Sequence, residues 1–260
     1  MKLKDRVAIV TGGGKGIGKA ISLAFAKEGA VVVMAARDAA AMEGTAREIR
    51  AGGGRADRVV TDVRQGDQVK HMVAYTLDTF GKIDILVNNA AVAGPTANLS
   101  DIDLKIWNDV MAVNLTGAVL CTKEVLGPMI DARGGNIINI SSEGGRSGFP
   151  MRSPYAVSKR AIIALTETVA IEAGPYGIRV NCISPGRVRG ERVEKVAKDK
   201  AKALGLAYEE VIAGMTVDCS IGRFVEPSEV AAAAVFLASD ESSAITGETI
   251  VVSCGKHMLH

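Results

Sequence analysis

The chain has 260 residues, of which 48% are hydrophobic and 23% charged, and its net charge is +2. That length buries a sizeable core, and so slight a charge gives no electrostatic footprint for nucleic acid or a membrane surface. The four cysteines, Cys121, Cys182, Cys219 and Cys254, form no Cys-x-x-Cys pair, which argues against a metal cluster or a disulfide framework and for a reducing, cytoplasmic setting.

In chain order, short β-branched runs alternate with longer helical patterns. Strands are expected at 6–11, 31–35, 56–61, 83–88, 136–141, 178–183 and 248–253. Helices are expected at 16–27, 39–51, 65–80, 154–173 and 227–238, with one long helix over 104–129. No signal-peptide core opens the chain, and no apolar run approaches membrane-spanning length. The alternation predicts an α/β fold: a single-domain, Rossmann-type doubly wound parallel sheet with helices on both faces over residues 1–260. Residues 187–222 break the rhythm, being charged, helical and interrupted by Gly190, Gly205 and Gly214. An insertion after a strand's C-terminal end lies where such sheets bind ligands, so 187–222 is read as a substrate-binding loop or lid.

The first strand runs into Thr11-Gly-Gly-Gly-Lys-Gly-Ile-Gly18, and a helix follows at once. Glycines there let backbone approach a pyrophosphate at a helix N-terminus, although a glycine-rich turn alone is a weak signal. The second strand ends Ala35-Ala-Arg37, without the carboxylate that usually grips the ribose 2′-hydroxyl of NAD. Arg37 and Lys15 suit a 2′-phosphate instead, so NADP(H) is expected over NAD(H); the plain alternative is two solvated cations. Asp62-Val63 ends the third strand, where a carboxylate can accept from an adenine amino group, and Asn88-Asn-Ala-Ala91 ends the fourth.

Tyr155 and Lys159 lie four residues apart in a helical stretch, so they leave one face. A phenol is a poor base at neutral pH, and an adjacent fixed cation favours the phenolate, which makes the pair a device for proton transfer. Alone, the spacing is common by chance. Ser142, at the end of the fifth strand, brings a hydroxyl to the same sheet edge. Asn114 sits inside the long helix, where asparagine is a mediocre helix former; it reads as a kink or as the holder of a proton-relay water.

The motifs Thr11-Gly-x3-Gly-x-Gly18, Asp62-Val63, Asn88-Asn-Ala90, Asn114, Ser142, Tyr155-x3-Lys159 and Pro185-Gly186 fall in this order across nearly the whole chain. In this the sequence resembles the short-chain dehydrogenase/reductase family. The resemblance implies a catalytic set of Asn114, Ser142, Tyr155 and Lys159, with Tyr155 as proton donor or acceptor. It implies a cofactor set of Gly12, Lys15, Gly16, Ile17, Gly18, Arg37, Asp62, Val63, Asn89, Ala90, Tyr155, Lys159, Pro185, Gly186 and Val188. It also implies a homo-oligomer, tetramer or dimer, and no metal. Two departures stand out: Arg187-Val-Arg-Gly190 lacks the family's threonine after Pro-Gly, and the tail reads Val252-Ser-Cys-Gly255 rather than Val-Asp-Gly-Gly.

The basic residues of 187–222 interleave with acids and in part form an ordinary solvated helix face. Arg146 and Arg152 nevertheless flank the reacting stretch between Ser142 and Tyr155 and, with Arg189 of the loop, predict a small anionic substrate. The expected activity is a keto/hydroxy oxidoreductase. A 3-oxoacyl-[acyl-carrier-protein] reductase is the alternative; Arg133 matches one of its two basic docking positions, while Tyr176 stands at the other. A non-enzymatic NADP(H) sensor is the third reading, disfavoured because Tyr155 and Lys159 are both retained.

Overall fold

The computed structural model describes residues 1–256. Seven parallel strands form one sheet in the order β3-β2-β1-β4-β5-β6-β7: β1 Val7–Thr11, β2 Val31–Ala36, β3 Arg55–Val60, β4 Ile85–Asn88, β5 Gly135–Ile140, β6 Ile178–Pro185 and β7 Thr249–Val252. Six of its helices cover the two faces: α1 Gly16–Lys27, α2 Ala39–Ala51, α3 Gly66–Phe80, α5 Gly117–Asp131, α6 Ser153–Ala173 and α9 Pro227–Ala238. The chain reverses direction across the sheet between β1 and β4, so the ends of these strands flank the crevice where doubly wound sheets bind ligands.

Two apolar layers hold the sheet. One packs Phe25 and Ile21 of α1 with Val230, Ala234 and Leu237 of α9 onto Ala8, Val10 and Val32. The other packs Val69 and Met72 of α3 with Cys121, Val125 and Met129 onto Ile9, Val33 and Leu86. Alternate residues of β1 and β2 thus enter opposite layers, as a strand buried on both faces requires.

The expected long helix at 104–129 is instead three segments: α4 Leu104–Met111, a π turn Ala112–Thr116, and α5 Gly117–Asp131. As a 28-residue rod, Leu104–Asp131 is long and apolar enough to cross a bilayer by length and composition, contrary to the expectation that no apolar stretch approaches that length. Cys121, Val125 and Met129 nevertheless lie fully buried in the core.

The segment after β6 forms α7 Glu191–Leu204 and α8 Tyr208–Gly214, separated at Gly205, which is left-handed at φ 66° and caps α7. These two helices close a small cluster of their own: Ala197, Ala201, Val211 and Met215. The tail then folds back. Ser220 and Ile221 donate backbone N–H bonds to Gly255 and Cys254, and Gly186 packs so closely that an added Cβ would lie 2.8 Å from Ser253 Cα.

Candidate active site

The glycine turn is built by close backbone approach. Thr11 Oγ1 accepts from the N–H groups of Asn89 and Ala90, and Asn89 Nδ2 donates to the Thr11 and Gly12 carbonyls. A Cβ on Gly18 would stand 2.2 Å from the Gly12 oxygen, so glycine is obligatory there. Gly12 and Gly16 have φ of 66° and 51°, a region glycine enters without strain. Asn89 therefore shapes the turn with its side chain.

A dinucleotide fits this loop. Lys15, at the N-cap of α1, gives the first turn no side-chain hydrogen bond, and that turn holds no acid. Its first N–H groups and the positive end of the helix dipole are left for an anion. Space in front of Gly16 is open, with no heavy atom within 4 Å of an added Cβ.

Around this loop the charges are arranged less simply than the sequence suggests. Arg37 is exposed at the end of β2. Lys15 pairs with Asp38 at 2.7 Å; the hydrogen bond holds the Asp38 carboxyl below its usual range and raises the lysine. Both partners are exposed, so the pair is weak and exchangeable. Asp62 is engaged by Arg64, which donates to both carboxylate oxygens at 3.0–3.1 Å from Nε and 2.6 Å from Nη2. Val63 is buried where Gly117 of α5 passes, a Cβ on that glycine falling 2.6 Å from Val63 Cγ2.

Across the sheet, α6 presents Tyr155 and Lys159 from one face. Lys159 is 3% exposed; its Nζ donates to the Ile140 carbonyl at 2.7 Å and lies 5.9 Å from the Tyr155 ring centroid. Burial, then the Arg192 charge, push the ammonium down to about 7. Ser142 follows β5, and its Oγ accepts from the Gly144 N–H at 3.2 Å, which leaves its own proton for another acceptor.

Asn114 falls in the π turn and is 1% exposed. Its Oδ1 accepts from the Val92 N–H at 2.8 Å, while its Nδ2 donates to the Val92 carbonyl and to Ser158 Oγ. Ser158 in turn donates to the Tyr155 carbonyl at 2.7 Å. The wide turn thus aims an amide that fastens the strand-β4 loop to α6, a recurrent use of such turns at functional sites. Ser158 is the link the sequence reading passed over; its signal was a hydroxyl directly before Lys159.

Pro185 ends β6 and Gly186 follows it. Beyond them the Arg189 N–H and the Arg187 carbonyl pair with Val225, which leaves the Val188 N–H outside that pairing and facing the other way. Of the three arginines expected at a substrate, Arg189 is committed elsewhere: Nε donates to Glu226 at 2.7 Å, and the guanidinium stacks 5.7 Å from the Phe224 centroid. Arg146 is half-buried after the turn that follows Ser142. Arg152, 5% exposed, lies 5.6 Å from the Tyr155 ring. Arg187 meets Asp218 and the Met215 carbonyl and stands 3.5 Å from Glu143, which also receives Lys256 at 3.2 Å.

A doubly wound parallel sheet, a glycine turn at its switch point and a phenol–ammonium pair on the same edge define a nucleotide-dependent oxidoreductase. A short-chain dehydrogenase family model described as Enoyl-(Acyl carrier protein) reductase matches residues 12–257. The chain is 37% identical to the 3-oxoacyl-[acyl-carrier-protein] reductase FabG of Thermotoga maritima, over 98% of this chain and 99% of that one. It superposes on NAD+-bound xylitol dehydrogenase with a TM-score of 0.95 at 34% identity, covering 98% and 100% of the two chains. An actinorhodin polyketide ketoreductase variant with NADPH gives 0.93 at 34% identity, covering 97% and 98%. The chain belongs to the short-chain dehydrogenase/reductase family and is an oxidoreductase of that family.

Proposed function

We propose that the protein is an NADP(H)-dependent oxidoreductase that interconverts a ketone and a secondary alcohol on a small anionic substrate. The observation that carries this reading is the buried Lys159 beside Tyr155, at the sheet edge that also bears Ser142 and the glycine turn. When bound, the nicotinamide supplies or takes the hydride. Tyr155 gives the proton to the substrate oxygen, or takes it in the reverse direction. Ser142 directs its free hydroxyl proton at the same oxygen as charge develops there. Lys159 holds two N–H groups beyond the one given to Ile140, which suits ribose hydroxyls and stabilises the phenolate electrostatically. Asn114 keeps α6 and the strand-β4 loop in register through Val92 and Ser158.

Arg37, with Lys15 released from its exposed pair with Asp38, would hold the 2′-phosphate; the N–H groups of Gly16, Ile17 and Gly18 would hold the pyrophosphate. Asp62 and Val63 would border the adenine, Ala90 the ribose, and Pro185, Gly186 and Val188 the carboxamide. The protein acts in the cytoplasm as one domain, with 187–222 as its substrate lid. It assembles as a homo-oligomer, supported by the exposed Leu104, Ile106, Val119, Val157 and Ile171 on the α4–α5 rod and α6.

Paired titration of NADPH and NADH, followed by turnover of the Tyr155→Phe variant, tests the reading. NADPH is expected to bind at least about tenfold more tightly, and Tyr155→Phe to bind NADPH but lose about 10²–10⁴-fold in kcat. Preference for NADH overturns the cofactor assignment, and full activity of the variant overturns the proton donor. Reduction of a 3-oxoacyl group on a carrier protein is the second reading, favoured by the full-length match to FabG. Exposed Arg133 supports docking of an acidic carrier, whereas Tyr176 puts a phenol where a second cation is wanted.

A further inference from the structure

Arg152 occupies a position that costs energy unless something repays it. It is 5% exposed, and among the described residues no carboxylate lies within ion-pair distance of it. Nη1 donates to Thr96 Oγ1 at 3.2 Å and Nη2 to the Ala93 carbonyl at 2.6 Å, while Nε is buried without a partner. The Tyr155 ring compensates the charge only in part. A buried guanidinium is normally paired with an anion, because desolvation otherwise exceeds what neutral acceptors return.

Its surroundings deepen the imbalance. Arg192, from the first turn of α7, reaches across the cleft and donates to the Ala91 carbonyl at 2.8 Å; no acid is within ion-pair distance of it among the described residues. Lys159 is buried against a carbonyl. Burial holds Arg152 below the usual arginine range; Tyr155 and then Asp199 act in the opposite direction, Asp199 being already paired with Lys195 at 3.1 Å, and Arg192 adds a smaller repulsion. Two cations, Arg152 and Lys159, therefore border the Tyr155 ring, and Arg192 is near enough to repel both; among the described residues none of the three has an acid within ion-pair distance.

From this juxtaposition we infer that Arg152 and Arg192 form a carboxylate site, so that the substrate is a small oxo or hydroxy acid with its carboxylate a few carbons from the reacting carbonyl. The inference rests on the oxidoreductase reading above and names the anion. Arg152 stacks on the ring assigned to proton transfer, so the anion it meets is carried by the reacting molecule. The dinucleotide's pyrophosphate is already provided for at the first turn of α1. Arg192 comes from the lid, so carboxylate binding would also draw α7 toward the β4 edge. Arg189, engaged by Glu226, has no part in the site.

The test compares short 2-, 3- and 4-oxo carboxylates with their methyl esters, following NADPH oxidation. Wild-type protein is expected to favour one carboxylate over its ester by about 100-fold or more in kcat/KM, the scale of a buried charge-assisted contact. Arg152→Gln should reduce that ratio by about 50-fold, Arg152→Lys by less, and Arg192→Gln by about tenfold, the bidentate fork being what lysine lacks. A second readout is the rise in Tm of the NADP+-bound protein on adding carboxylate, which both glutamine variants should abolish. If Arg152→Gln fails to bind NADPH, Arg192→Gln decides the matter. Equal use of esters and carboxylates, or a ratio unmoved in the variants, overturns the carboxylate site and leaves the oxidoreductase reading standing. No reduction of any ketone overturns the oxidoreductase reading itself, and in that event a Tm rise with neither series overturns the carboxylate site as well.

Discussion

Strands β1 and β2 are buried along almost their whole length, whereas α7 buries only Ala197 and Ala201 of its 14 residues, with Val193 and Val196 half-buried beside them. The sheet is locked by two apolar layers; α7 and α8 rest on a four-residue cluster and on charged contacts such as Arg187 with Asp218. Regions with little apolar burial open at low free energy, while buried strands open only with the whole domain. The groups assigned to proton transfer stand on the rigid part. Arg192, which reaches the cleft from α7, stands on the part that can move.

The sharpest way to break this contrast is to put a methyl group into the rigid part. Gly18→Ala drives a Cβ into the Gly12 carbonyl and Asn89 Nδ2, and is expected to cost about 3 kcal/mol or more in urea unfolding. NADPH affinity should fall with it. An unchanged midpoint would mean that the turn is softer than its hydrogen bonds indicate.

A second test uses a charge buried within the rigid part, that of Lys159. Lys159 sits near 7 in the folded protein against 10.5 as its ordinary value, so between those values the unfolded chain binds more protons. Stability of the cofactor-free protein should therefore rise as pH goes from about 7 to about 10, by up to one proton's worth of slope. The burial penalty is fully present below that window. Lys159→Met should remove this rise; a slope identical to wild type would show that the ammonium is solvated.

The smallest effect belongs to the α7–α8 segment. Gly205 has φ 66° with open space around it, so Gly205→Ala meets only backbone strain and should cost about 1 kcal/mol locally. Hydrogen exchange should report it as faster exchange in α7 and α8, with β1 and β2 unmoved. Slowed folding of the whole chain would mean that the α7–α8 segment and the sheet are one cooperative unit.

Most of the sheet was legible because period, glycine placement and strand ends coincide at Thr11–Gly18, Asn88–Ala91 and Tyr155–Lys159. Three things were not. The π turn leaves no signature beyond an asparagine inside a helical pattern, since the apolar period on either side continues. The partners of charged side chains depend on approaches that sequence spacing does not encode. Arg189 and Arg152 look alike in the chain, yet one is satisfied by Glu226 and the other is buried without an acid. Likewise Lys15 looks like a free phosphate ligand until α2 brings its capping Asp38 within 2.7 Å. The tail's contact with Gly186 and Ser220 joins segments distant in sequence.

The π turn at Ala112–Thr116 also works as a phase shifter. One residue more than a regular turn rotates everything after it by about 100° relative to an unbroken helix. The α4 side chains facing α6 and the α5 side chains entering the sheet are thereby decoupled, and each face is free to vary in sequence without constraining the other. In a scan of single-residue deletions, this rod would respond unlike the other helices. Loss of one residue there would leave a well-formed helix whose two halves point their apolar faces in the wrong relative directions.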